Sequence, residues 1–178
     1  MNIKGNAIVL TDGKFNTKSA KTAHGLIRGS NRFRVIGVID NKISKKYIHL
    51  DKNEKINLSN KKSDIKVYSN LKSFIKLNIK VDYCIIGVAS AGGLLPENMR
   101  GDLIDAMDNG MSIINGLHSM LNDDKQLVNV SKKNNVDIHD IRISRKREKL
   151  SFWSGKIYKV DVPKIVVLGT DCGLGKRT

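Results

Sequence analysis

Residues 164–178, K-I-V-V-L-G-T-D-C-G-L-G-K-R-T, constrain the fold of this chain more than any other stretch. A β-branched run (Ile165, Val166, Val167, then Leu168) passes without a break into a glycine-studded turn ending Gly175-Lys176-Arg177-Thr178. Strand, glycine loop and lysine in that order describe a phosphate-binding P-loop. Gly173 and Gly175 let backbone N–H groups converge on an anion, and Lys176 sets its charge against the distal phosphate. Such a loop draws much of its anion affinity from the N-terminus of the helix that follows it. That helix would begin beyond Thr178, so these residues are expected to open a second domain, and the 178 residues alone are expected to be inactive.

The loop departs from the plain motif. The G-x-x-x-x-G-K spacing would place its first glycine at position 170, which is Thr170, with Gly169 one place earlier. The hydroxyl that would follow the lysine and ligate Mg²⁺ is replaced by Arg177, and Thr178 comes one place late. Metal-assisted phosphoryl transfer is therefore the weaker expectation. Gly169-Thr170-Asp171-Cys172 followed by Gly175-Lys176 is similar to the G-T-D-T-x-x-G-K loop of dethiobiotin synthetases, a precedent for the offset glycine. Gly169, Thr170, Asp171, Cys172, Gly173, Gly175, Lys176 and Thr178 are the candidate cofactor-binding residues.

Ahead of the loop the chain alternates strand and helix. Residues 6–12 hold a short apolar run (Ala7, Ile8, Val9, Leu10) that ends in Asp12-Gly13. Residues 17–28 read as a helix with Thr17 as N-cap, Ala20, Ala23 and Ile27 on one face and Gly29 at C′. Residues 33–39 form a second strand that closes on Asp40, the order of a dinucleotide-binding half. The glycine-rich cradle is missing, however, since only Gly13 stands between strand and helix. No dinucleotide is expected there, and Asp40 reads as a turn former. The polar stretch 41–66 is expected to be a surface connection with a short strand at 47–50, followed by a minimal strand at 67–68 and a helix over 70–78.

Residues 83–88, Y-C-I-I-G-V, are apolar throughout, as a central parallel strand should be. They open into A-S-A-G-G-L-L-P-E, where Gly92 and Gly93 permit positive φ and Pro96 suits the first position of a helix ending at Gly110. A glycine pair between the carboxyl end of a central strand and a helix is where open α/β sheets bind ligands, although a tight turn explains it equally well. Residues 111–114 form the next strand and lead into Asn115-Gly116-Leu117-His118; Asn122-Asp123-Asp124 then cap a helix, and residues 136–141 read as an alternating strand. Residues 144–162 carry the charge run R-K-R-E-K and one Trp, the marks of a solvated connection with an anchoring aromatic. The expected fold class is α/β, a Rossmann-like parallel sheet flanked by helices. Its expected divisions are that domain over 1–143, a linker over 144–163 and the truncated start of a P-loop domain over 164–178.

The net charge of +15 would ordinarily suggest nucleic acid. Most of the 32 basic residues are Lys, however, and they travel with Asn and Ile, the set favoured by A/T-rich codons. Nucleic acid is thus not the expected partner, while a basic surface suits phosphate or carboxylate ligands. His24, His49, His118 and His139 show no metal-ligand spacing, so no metal site is expected. Cys84 lies in an apolar run and reads as a reduced core residue. No apolar stretch approaches the roughly 18 residues of a membrane span. A cytoplasmic, homo-oligomeric protein acting on a small molecule, without membrane contact, is the expectation.

Several segments together carry a specific resemblance: K-T-A-H-G-L-I-R (21–28), F-R-V-I-G-V-I-D (33–40), I-I-G-V-A-S-A-G-G-L-L-P (85–96), N-G-L-H-S-M-L (115–121), D-I-H-D-I-R (137–142) and G-T-D-C-G-L-G-K-R-T (169–178). In this order and at similar intervals they resemble the two-domain D-glutamate N-acetyltransferases of the DgcN type, in which a Rossmann-like domain precedes a P-loop domain. The chain matches about the first half of such a protein. The resemblance implies acetyl transfer from acetyl-CoA to the amine of D-glutamate, with the P-loop on the phosphates of CoA, or alternatively of ATP with Mg²⁺ if the dethiobiotin-synthetase likeness prevails. Gripping a pyrophosphate without hydrolysing it needs N–H groups and Lys176 but no Mg²⁺ hydroxyl. For the substrate carboxylates the candidates are Arg28, Arg100 and Arg142, since Arg pairs with them bidentately, beside Gly92 and Gly93. For the general base they are His118 and Asp140. A non-catalytic ligand-binding domain remains the alternative of a different class.

Overall fold

Strand β1 (Gly5–Leu10) is the axis of the sheet, and its last four residues, Ala7 to Leu10, are buried. It pairs in parallel with β2 (Phe33–Ile39) on one side and β6 (Tyr83–Ile86) on the other, and in such a parallel sheet the crossover helices cover both faces. The structure, a computed structural model, describes residues 3–43, 47–50, 56–59, 64–143, 152–163 and 165. It divides into two units, Met1–Ile143 and Ser144–Thr178.

The first unit is Rossmann-like. Its eight-stranded sheet runs β4-β3-β5-β2-β1-β6-β7-β8, with β3 (Tyr47–Leu50), β4 (Ile56–Ser59), β5 (Ile65–Tyr68), β7 (Ser112–Asn115) and β8 (Ile138–Asp140). All pairings are parallel except those of β3 with β4 and with β5. The β3–β4 hairpin therefore widens one edge of the sheet. Of this hairpin the sequence suggested only β3. Ile56 to Ser59 does alternate apolar and polar side chains, but the many charges around it hid the period.

The helices form for legible reasons. A 3₁₀ turn (Lys18–Ala20) capped by the Thr17 side chain leads into α1 (Lys21–Arg28), which buries Ala23 and Ile27. Asn70 caps α2 (Leu71–Ile75) by accepting from the Ser73 N–H at 2.8 Å. The helix expected over 70–78 stops early because Asn78 turns left-handed, with φ 53°. Pro96 is the N-cap of α3 (Glu97–Asp108), with ψ 134°, rather than its first residue. The far end of α3 closes as a Schellman motif, Gly110 N–H to Met107 C=O and Met111 N–H to Ala106 C=O. Asp124 caps α4 (Lys125–Lys133) through the N–H groups of Gln126 and Leu127.

Close approach between β6 and α1 depends on one glycine. The Gly87 carbonyl accepts from Ala23 N–H at 3.0 Å, and a Cβ at position 87 would stand 2.3 Å from Val9 Cγ1. Cys84 is fully buried on β6, and burial, reinforced by Asp102, pushes its thiol far above the usual range. In the second unit a 3₁₀ turn (Lys156–Lys159) follows Gly155, and the exposed Trp153 packs edge-on to the exposed Tyr158, ring centroids 6.0 Å apart. No helix among the described residues is long and apolar enough to cross a membrane.

Candidate functional site

The carboxyl ends of β6, β7 and β8 lie side by side, so the loops that leave them share one edge of the sheet. After β6 the chain passes through Ala89 and Ser90 into a 3₁₀ turn (Ala91–Gly93) in which Gly92 and Gly93 take φ 64° and 69°. Those angles suit glycine alone at low cost. The Gly93 carbonyl accepts from His118 N–H at 2.9 Å and Ser119 N–H at 3.0 Å, and the Ser119 hydroxyl accepts from Leu95 N–H at 3.1 Å. These bonds stitch the β6 loop to the β7 loop. They also press the His118 ring on Gly93, where a Cβ would stand 2.2 Å from His118 Cδ2.

The β7 loop is shaped by Asn115, which is buried. Its amide donates to Ser119 C=O and to Asp140 Oδ1, both at 2.7 Å, and its side-chain oxygen accepts from Leu117 N–H at 2.9 Å. From the loop after β8, Arg142 extends a guanidinium to His118, Nη1 to Nε2 3.2 Å. A cleft of about 380 Å³ results, lined by Ser90, Gly92, Gly93, Gly116, His118 and Arg142, together with Ala89 and Leu117. It offers an imidazole, a permanent cation, a hydroxyl and exposed glycine backbone.

Gly92, Gly93, His118 and Arg142 are thus brought together, and the other candidates are not. Asp140 is buried and its carboxylate accepts from Asn115 Nδ2, Leu121 N–H, Asn122 N–H and Asn122 Nδ2. Burial pushes its pKa up, but the bonds from Asn115, Asn122 and Leu121 outweigh it and hold the carboxyl below its ordinary range. It ties loops together and does not line the cleft. Arg100, on the first turn of α3, makes a two-pronged ion pair with Asp124 at 2.7 and 2.8 Å and also donates to Gln126 Oε1. Its fork is already committed to a carboxylate. Arg28 ends α1, just before β2 begins, and so lies at the amino edge of the sheet. Gly169, Thr170, Asp171, Cys172, Gly173, Gly175, Lys176 and Thr178 lie outside the described residues.

The remaining histidines have structural partners: His24 Nε2 meets Phe15 C=O at 2.7 Å, His49 pairs with Asp64, and His139 lies beside Tyr83. Asp40 is buried and accepts from Thr11 Oγ1 and from the N–H groups of Phe15, Lys42 and Ile43, so its carboxylate takes a donor from the very loop where a pyrophosphate would sit. Among the described residues no group of acids, His and Cys could hold a metal. A larger depression of about 430 Å³, near Asn78, Lys80 and Asn109, is at the amino edge, away from the strand ends where such sheets bind ligands. Ser90, Asn115 and Ser119 were missed as site residues. Their signal was present in A-S-A-G-G and N-G-L-H-S, where a hydroxyl or amide stands beside each turn.

Comparison with known proteins agrees with this architecture. A D-glutamate N-acetyltransferase from Pseudoalteromonas sp is 36% identical over 92 residues, covering 52% of this chain and 26% of that protein. A D-glutamate N-acetyltransferase from Tritonibacter scottomollicae is 28% identical over 92 residues, with the same coverage of 52% and 26%. The matched stretch is thus about a quarter of the length of these relatives. The crystal structure of a DUF1611 family protein from Anabaena variabilis superposes with a TM-score of 0.68 at 22% identity, covering 87% of this chain and 41% of that one, and shares the fold. Residues 51–144 match the family model described as domain of unknown function DUF1611_N, Rossmann-like domain, a stretch that contains Gly92, Gly93, His118 and Arg142. The chain belongs to the DUF1611_N family of Rossmann-like domains.

Proposed function

We propose that this chain is the Rossmann-like part of an acetyl-CoA-dependent N-acetyltransferase acting on an acidic D-amino acid, D-glutamate being the first choice. The carrying observation is the pairing of His118 and Arg142 across one cleft at the carboxyl edge of the sheet, beside Gly92 and Gly93. The names of the two relatives support the choice of reaction. In this reading Arg142 holds a substrate carboxylate by charge-assisted hydrogen bonds. His118 takes a proton from the substrate ammonium, which frees the nitrogen lone pair. That nitrogen would attack the thioester carbonyl carbon: the C–N bond forms, the nitrogen gives up its second proton, the C–S bond breaks, and CoA leaves as a thiolate that takes up that proton. The loop residues Gly169 to Thr178 grip the phosphates of CoA, a role drawn from their sequence alone.

A titration of the full-length protein tests this. Acetyl-CoA should bind without metal, Lys176→Ala should weaken it by at least tenfold, and D-glutamate should then be N-acetylated. Binding of ATP that requires Mg²⁺, with none of acetyl-CoA, would replace the transferase by an ATP-dependent enzyme.

A further inference from the structure

Arg142 does more in this geometry than wait for a carboxylate, because it already occupies the nitrogen that a general base would use. Arg carries N–H donors and no acceptor, and it stays protonated. Its 3.2 Å contact with His118 Nε2 is a hydrogen bond only if Nε2 is the unprotonated acceptor, with the ring proton on Nδ1. The lone pair that would take a proton from an ammonium is the one the guanidinium covers.

Both side chains are exposed, whereas the His118 backbone is pinned by the Gly93 carbonyl. The His118 ring also lies against Gly93, whereas Arg142, two residues beyond β8, reaches it on a longer and more flexible side chain, so the arginine is the partner that swings. A neutral nitrogen accepts a single bond from guanidinium, whereas a carboxylate carries the opposite charge and accepts two parallel bonds from the same fork. We propose that Arg142 is a substrate-released cap on His118: a carboxylate entering the cleft draws the guanidinium off Nε2, so the base becomes available only when an acidic ligand is in place. The proposal rests on His118 being the base of the reaction proposed above. It makes Arg142 a positioning residue that sets specificity through base availability as well as through substrate affinity. A simple amine without a carboxylate would meet a capped imidazole and be a poor acceptor.

Nitrogen-15 NMR on histidine-labelled protein reads the cap directly, with His118 assigned by the resonance lost in His118→Asn. The probe is glutarate, which has two carboxylates and no amine. In the wild type, saturating glutarate should move the Nε2 resonance from that of a hydrogen-bonded acceptor toward that of an unbonded one. In Arg142→Ala the unbonded value should be present from the start, with no response to glutarate. In full-length protein Arg142→Ala should lower the preference for D-glutamate over propylamine, as a ratio of kcat/KM, by about tenfold to a hundredfold, the effect of one charge-assisted contact. An Nε2 resonance that ignores glutarate while D-glutamate is still acetylated overturns the cap and leaves the transferase reading standing. An identical response to glutarate in wild type and Arg142→Ala also overturns it. A glutarate response that needs Arg142, without any acetyl transfer, upholds the cap and removes the transferase.

Discussion

Asp140 shows how a residue chosen for chemistry turns out to hold a scaffold. Read along the chain it is an acid at a strand end beside His139, a fair general base. In the fold it faces four donors from Asn115, Leu121 and Asn122, none of them near Asp140 in sequence, so no local pattern could have revealed its role. Asp140→Asn would place an amide donor against one of those donors and should cost about 1–3 kcal/mol, the penalty of an unmet buried polar group. The sign of the pH dependence follows from the lowered pKa. Stability contributed by Asp140 is fully present above the unfolded value of about 4 and is lost as pH falls through the lower folded value. Urea denaturation of wild type and variant should therefore differ most above about pH 4, and the gap should narrow in acid. A gap that stays constant to low pH would mean that the carboxylate charge plays no part.

The elements themselves were legible where one physical signal dominated. The burial of β1 and β6 was written in unbroken apolar runs, and Asp124 and Gly110 marked helix ends by their own chemistry. Strand β4 was not legible, because the charged residues around it outweighed its period, and α2 ended early through a left-handed Asn that no rule requires. Arg100 belongs to this scale: it joins the first turn of α3 to the N-cap of α4. Asp124 is held below the usual carboxylate range chiefly by that hydrogen bond. The pair is partly exposed, with side-chain accessibilities of 28% and 27%, so screening keeps its worth small. Arg100→Ala should cost up to about 1 kcal/mol in thermal melts, with a smaller loss at high salt, and should leave carboxylate binding unchanged. Loss of glutarate binding in that variant would return Arg100 to the site.

At the scale of the molecule, the two halves of the proposed chemistry belong to different units. The imidazole and its arginine stand in Met1–Ile143, while the loop read as holding CoA lies in Ser144–Thr178. Every buried apolar side chain among the described residues falls between Ile3 and Leu127, so the first unit builds its core from its own residues. The net charge of +15 favours anions at large and cannot by itself say which unit takes which one. Residues 1–143 should therefore unfold cooperatively when expressed alone, keep the glutarate response of His118, and bind CoA at least tenfold more weakly than the full-length protein. Scanning and titration calorimetry and the same nitrogen resonances measure all three. If the isolated unit held CoA as tightly as the whole, the phosphate-binding role would move from Lys176 into the first unit, and the loops at its carboxyl edge would be where to look.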